Sequence, residues 1–71
     1  MEIESNKWVL LSAYTFEYKA SILIANLENE GIDYKIDNKV NNAFNFMGRV
    51  EVYVRQSEFV KALNIKEKLD L

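Results

Sequence analysis

The chain contains no cysteine, no histidine and no proline, and only two glycines among its 71 residues. Without cysteine there is no disulfide to staple the fold. Without histidine as well there is no Cys/His zinc site. The commonest general base and the best nucleophile are missing together. Gly31 and Gly48 each stand alone, so neither a Walker loop nor a dinucleotide fingerprint is present. No apolar run approaches the roughly 18 residues that span a bilayer. Charge of one sign is also scarce. Nine basic and eleven acidic residues interleave to a net charge of −2, which lacks the clustered basic face of a nucleic-acid binder. Residues 1–6 are polar and acidic, unlike a signal peptide. These absences lead us to expect a cytoplasmic protein with no cofactor, no metal, no membrane segment and no nucleic-acid partner.

What is present points to one packed unit. Hydrophobic residues make up 49% of the chain, enough for a core rather than a disordered coil. The length suits a single domain over residues 7–71 behind a polar tail at 1–6. A core this small supplies only about 3–5 kcal/mol of net stability. With disulfides and zinc excluded, oligomerisation is the staple that remains.

Residues 7–13 read as a first strand. Trp8, Val9, Leu10 and Leu11 are apolar without alternation, as in a strand covered on both faces. Thr15 is placed to cap a helix that runs to about Glu30, with Glu17 near its positive end. Ala20, Leu23, Ile24 and Leu27 fall at i, i+3, i+4 and i+7 and form one stripe, with Ile22 off it. Gly31 then stops the helix, because a left-handed residue there costs glycine no Cβ clash.

Ile32, Tyr34 and Ile36 alternate with Asp33, Lys35 and Asp37, a second strand. A third alternates Val50, Val52 and Val54 with Glu51, Tyr53 and Arg55. Ser57 is placed to cap a second helix, whose stripe is Phe59, Ala62, Leu63 and Leu69, with Lys66 and Lys68 at its negative end. The order strand, helix, strand, strand, helix has one economical solution. A right-handed crossover sets strands one and two parallel with a gap between them. Strand three fills the gap antiparallel to both, and both helices cover one face. The expected fold is thus α+β: a ferredoxin-like two-layer sandwich, β-α-β-β-α, with a three-stranded antiparallel sheet. Its expected core is Leu11, Leu23, Leu27, Ile36, Val52 and Leu63. Strand one is left as an open apolar edge, a liability unless something pairs with it.

Several stretches resemble a known family. Leu27-Glu28-Asn29-Glu30-Gly31-Ile32, then Asp37-Asn38, then Val50-Glu51-Val52-Tyr53-Val54 leading to Ala62-Leu63 are similar to a small bacterial domain of unknown function, named for a prokaryotic signal-transducing protein. The likeness covers nearly the whole chain after residue 7. It implies the same ferredoxin-like fold, shared with the PII nitrogen regulators, a signal-transducing role and no established reaction. The family commonly carries a carboxylate where Lys19 stands.

The functional candidates are surfaces rather than catalytic clusters. Asp33 and Asp37 face outward from strand two, as on a solvated sheet face with cross-strand partners among Arg49, Glu51 and Arg55. PII proteins bind nucleotide beside the loop between strands two and three. The matching segment, 39–48, offers one lysine before an uncharged asparagine-rich run in place of a phosphate cradle. Phe44, Phe46 and Met47 in that segment either cap the core or form a contact patch. Trp8, Leu10 and Tyr53 are expected on the sheet face away from the helices, where self-association would cover them. We therefore expect a non-enzymatic regulatory or signal-transducing module that binds itself or another protein through Phe44, Phe46, Met47, Tyr53, Trp8 and Leu10. The alternative is a PII-like or amino-acid-binding-like sensor holding a small molecule at a subunit interface.

Overall fold

Gly31 builds the first corner of the molecule. Its φ is 73°, in the left-handed region that glycine enters without a Cβ clash. Gly31 N–H donates to Glu28 O at 3.0 Å, and Ile32 N–H donates to Leu27 O at 2.9 Å. This is a Schellman ending, and the apolar contact that accompanies it is present in buried Ile32 and Leu27. The helix end is therefore bonded and sealed in one step.

The computed structural model describes residues 7–40 and 48–71. Its elements are β1 (Trp8–Tyr14), α1 (Glu17–Asn29), β2 (Tyr34–Val40), β3 (Gly48–Arg55), a 3-10 turn (Gln56–Glu58) and α2 (Phe59–Leu69). The sheet order is β1-β3-β2, with β3 antiparallel to both neighbours. The protein is thus α+β, with a three-stranded antiparallel sheet and two helices. Val50, Val52 and Val54 bury one face of β3 against Leu23, Leu27, Ala20 and Ala62. Ile24, Phe59, Leu63, Ile65 and Leu69 pack around that centre half-buried. Leu11, Leu23, Leu27 and Val52 lie in the core as expected, and Leu63 lies at its border.

The structure corrects five details. Ile36 is 42% exposed rather than core. Both helices pack mainly over β1 and β3, so β2 projects beyond them. Ile36 opens onto a groove shared with Ala20, Ser21 and Ile24. Thr15 caps nothing: α1 starts at Glu17, the cap position falls on Phe16, and no side chain bonds there. The two-residue bend sets Thr15 one position too early. Ser57 does not cap α2 either, because it lies inside the 3-10 turn, and α2 begins at Phe59 without a side-chain cap. The expected loop over 38–48 is shorter, since Lys39 pairs with Arg49 and Val40 with Gly48.

The fifth correction concerns β1. Its unbroken apolar run does not mean cover on both faces, for Leu10 is 47% exposed. The register instead jumps between Leu10 and Ser12: Leu10 pairs with Tyr53 and Ser12 with Val52. Leu11 is the extra residue of a β-bulge, and it is buried. The bulge breaks the alternation and lets consecutive leucines face different surroundings.

Candidate functional site

Among the described residues the sheet presents its outer face and two free edges, on β1 and on β2, without a helix over them. The outer face and the β1 edge carry the residues singled out from sequence. The outer face is read from the register. One row runs Ala13, Glu51, Asp37 across the sheet, and the next runs Leu10, Tyr53, Lys35. Trp8 pairs with Arg55 beyond them.

These rows are knitted together. Tyr53 Oη donates to Glu51 Oε1 at 2.9 Å, and Arg49 reaches Glu51 Oε2 at 3.4 Å. Glu51 is only 7% exposed, so its bonds to a phenol and a guanidinium offset the loss of water around its carboxylate. The Arg55 guanidinium lies over the Trp8 ring at 4.4 Å from the centroid, and its Nε lies 3.6 Å from Asp33 Oδ2. Trp8 and Tyr53 are therefore half-buried members of a charged lattice. The outer face has its polar partners in place. Arg55 lies beside Asp33 as expected, although β2 begins at Tyr34 and Asp33 precedes it rather than standing in the strand. At the far end of the sheet the Tyr14 hydroxyl is buried without a hydrogen-bond partner among the described residues.

The β1 edge is different. Trp8–Tyr14 reads WVLLSAY, without one charged residue. Beside it Val9, Leu10, Gln56, Phe59 and Val60 line a shallow, mostly apolar depression. Val60 is 71% exposed and Leu10 47%. The backbone of this edge is also available. Gln56 N–H donates to Lys7 O at 2.8 Å, in the register that pairs Trp8 with Arg55. Lys7 therefore turns its carbonyl toward β3. Antiparallel alternation then turns the peptide groups of Val9 inward and those of Trp8 and Leu10 outward, to the free edge.

Of the residues singled out from sequence, Leu10 stands on this edge, and Trp8 contributes its backbone to the edge and its ring to the outer face. Tyr53 sits one strand away. Phe44, Phe46 and Met47 lie outside the described residues. Sequence reasoning missed Val60, Phe59 as an edge neighbour, and the burial of Glu51. Val60 had a readable signal, because it falls off the stripe formed by Phe59, Ala62 and Leu63, just as Ile22 falls off the stripe of α1. Ile22 is itself 42% exposed, and Phe16 and Tyr18, whose rings lie 6.0 Å apart, are 58% and 61% exposed.

Elsewhere chemistry is sparse. Among the described residues no group of three or more His, Cys, Asp or Glu side chains is placed to hold a metal ion, and no helix is long and apolar enough to cross a membrane. The Tyr34 hydroxyl donates to Glu28 Oε2. That bond, aided by slight desolvation and by the carboxylate charge, raises the phenol above its ordinary value near 10.0. Asn26, Glu30, Lys61, Asn64 and Lys68, with Ile65 and Leu69, line a groove of mixed character between the two helices.

No protein-family model, no curated protein and no solved structure matches the chain.

Proposed function

We propose that this chain is a non-enzymatic interaction module, regulatory or signal-transducing, built as a three-stranded relative of the ferredoxin-like sandwich and working in the cytoplasm. It binds by adding a strand to the free edge of β1. The observation that carries this reading is the uncharged edge itself, with exposed Leu10 and Val60 beside outward-facing peptide groups. Strand addition draws affinity from main-chain hydrogen bonds and specificity from pockets for alternate side chains. The edge offers both, through Trp8 and Leu10 for the bonds and the depression beside Phe59 for a side chain.

A second reading, a PII-like or amino-acid-binding-like sensor, rests on the open groove beneath Ile36, lined by Glu17, Ala20, Ser21, Ile24, Asn38 and Val50. Thermal-shift measurements separate the two. A ligand at a hundred times its dissociation constant adds about 2.7 kcal/mol of stability. The module reading expects that gain from extended, uncharged apolar peptides, and its loss in Leu10→Lys. A comparable gain from nucleotides or free amino acids, unchanged in Leu10→Lys, overturns it in favour of the sensor.

A further inference from the structure

The occupant of the β1 edge must be an extended strand that brings no charge. Between Lys7 and the end of β1 the strand has no charged side chain to meet one, and a buried unpaired charge is costly. β2 and β3 both carry charged residues, so within the described chain β1 is the one strand that meets the requirement. A second copy supplies that strand at equal concentration.

We propose that two copies of this chain join edge to edge through the first half of β1, antiparallel about a two-fold axis at Val9, extending the sheet from three strands to six. The inference rests on reading the β1 edge as the binding surface. The bulge at Leu11 fixes where the seam can run, because it breaks the edge beyond Leu10. Only the stretch before it is regular, and only Trp8 and Leu10 turn their peptide groups outward there. A two-fold axis at Val9 sets Trp8 opposite the partner's Leu10, and Leu10 opposite the partner's Trp8. Each of these pairs exchanges both of its N–H···O bonds. No other two-fold register on this stretch satisfies both residues.

The side chains agree with the backbone. Trp8 and Leu10 stand on the outer face, so each seam pair sets an aromatic ring beside a leucine, a favourable cross-strand combination. On the helix side the seam brings the partner's apolar rim toward the depression lined by Val9, Phe59 and Val60. Val60, 71% exposed in the single chain, gains cover there. The same arrangement supplies the stabilisation that a small core without disulfides lacks, and a self-complementary patch of this kind closes as a two-fold dimer rather than a chain.

The absence of native cysteine gives a clean test. Val9 opposes the partner's Val9 as a non-hydrogen-bonded pair, with Cα atoms about 4.5 Å apart. That separation lies inside the roughly 4.4–6.8 Å a disulfide spans. Val9→Cys should therefore form a covalent dimer under mild oxidation. Leu10→Cys should link far more slowly, and Lys35→Cys on the opposite edge should not link. In sedimentation, wild type should be dimeric by about a millimolar. Leu10→Lys should weaken the dimer at least about tenfold while keeping the circular dichroism of the folded chain. Val60→Lys, at a site too exposed to affect folding, should weaken it as well. A folded wild type that stays monomeric at that concentration overturns the proposal, as does a dimer that links through Lys35→Cys or fails to link through Val9→Cys. A monomer whose edge still takes up an uncharged peptide removes the second copy and leaves the edge reading standing. A monomer that takes up none removes both.

Discussion

The two edges of this sheet flank the same central strand and have opposite chemistry. β1 presents Trp8, Val9 and Leu10 before its bulge, with no charge anywhere along it. β2 reads YKIDNKV and sets Lys35 and Asp37 at alternate positions. Charged residues, lysine above all, are a common means of keeping an edge strand from pairing with other chains. By that standard β2 is guarded and β1 is not. The difference locates the binding surface more narrowly than overall hydrophobicity does. The outer face, which sequence made the equal candidate, resembles the guarded edge: Tyr53, Glu51 and Arg49 satisfy one another, and Arg55 is held between Trp8 and Asp33.

The largest effect should come from the core that holds both edges in place. Leu27 is fully buried and also seals the end of α1. Leu27→Ala should cost about 2–5 kcal/mol, measurable by urea denaturation, and should unfold much of so small a domain. A loss below about half a kcal/mol would place the shared support elsewhere.

Gly31 comes next, since it sets where β2 begins. A Cβ there meets nothing within 4 Å, so a substitution reports backbone conformation alone. Gly31→Ala should cost about 1–2 kcal/mol, and Gly31→Val more, because a branched side chain resists positive φ. Gly31→Asn should recover part of the loss. Equal stability in all three would contradict the left-handed ending.

Exchanging the character of the edges sharpens the comparison further. Leu10→Lys should change folding stability by less than about 0.5 kcal/mol, since its side chain is half exposed. Its effect should fall on association. Lys35→Val together with Asp37→Val strips the guard from β2 and should create association where wild type has none at that edge, visible as larger species in sedimentation. If the double variant behaves as wild type, charge is not what separates the edges.

The smallest effect is electrostatic and belongs to β2. Tyr34 has a raised pKa in the folded chain through its bond to Glu28. A folded value above the unfolded one gives a contribution present below the ordinary phenol range. It is lost as pH rises from about 10 through the folded value. Spectrophotometric titration should find Tyr34 ionising above its ordinary value, and Glu28→Gln should return it toward that value. The opposite movement would contradict the bond.

Where local chemistry decides the structure, the sequence was readable. Gly31 after the stripe Ala20, Leu23, Leu27 announces a helix end, and the alternation of Val50, Val52 and Val54 announces the central strand. Order and pairing follow, because a right-handed crossover leaves one gap for β3. Where placement decides, reading failed. Ile36 has the right period for the core, yet the helices sit over β1 and β3 and leave it open. The run Trp8 to Leu11 gives no sign that its broken alternation is a bulge. Thr15 and Ser57 are good cap residues by type, displaced by a short bend and by a 3-10 turn. Of the candidate site, Leu10 was legible from the apolar strand with no fourth neighbour. Val60 needed the knowledge that α2 starts beside that edge.

The central claim is that β1 is the edge that pairs and β2 the edge that does not. Hydrogen exchange of individual amides across a concentration series tests it most directly. The Trp8 and Leu10 amides should exchange fast in dilute solution and become protected as concentration rises, while the outward-facing amides of β2 stay fast throughout. Protection of Trp8 and Leu10 that does not depend on concentration, or that rises on β2 instead, would contradict it.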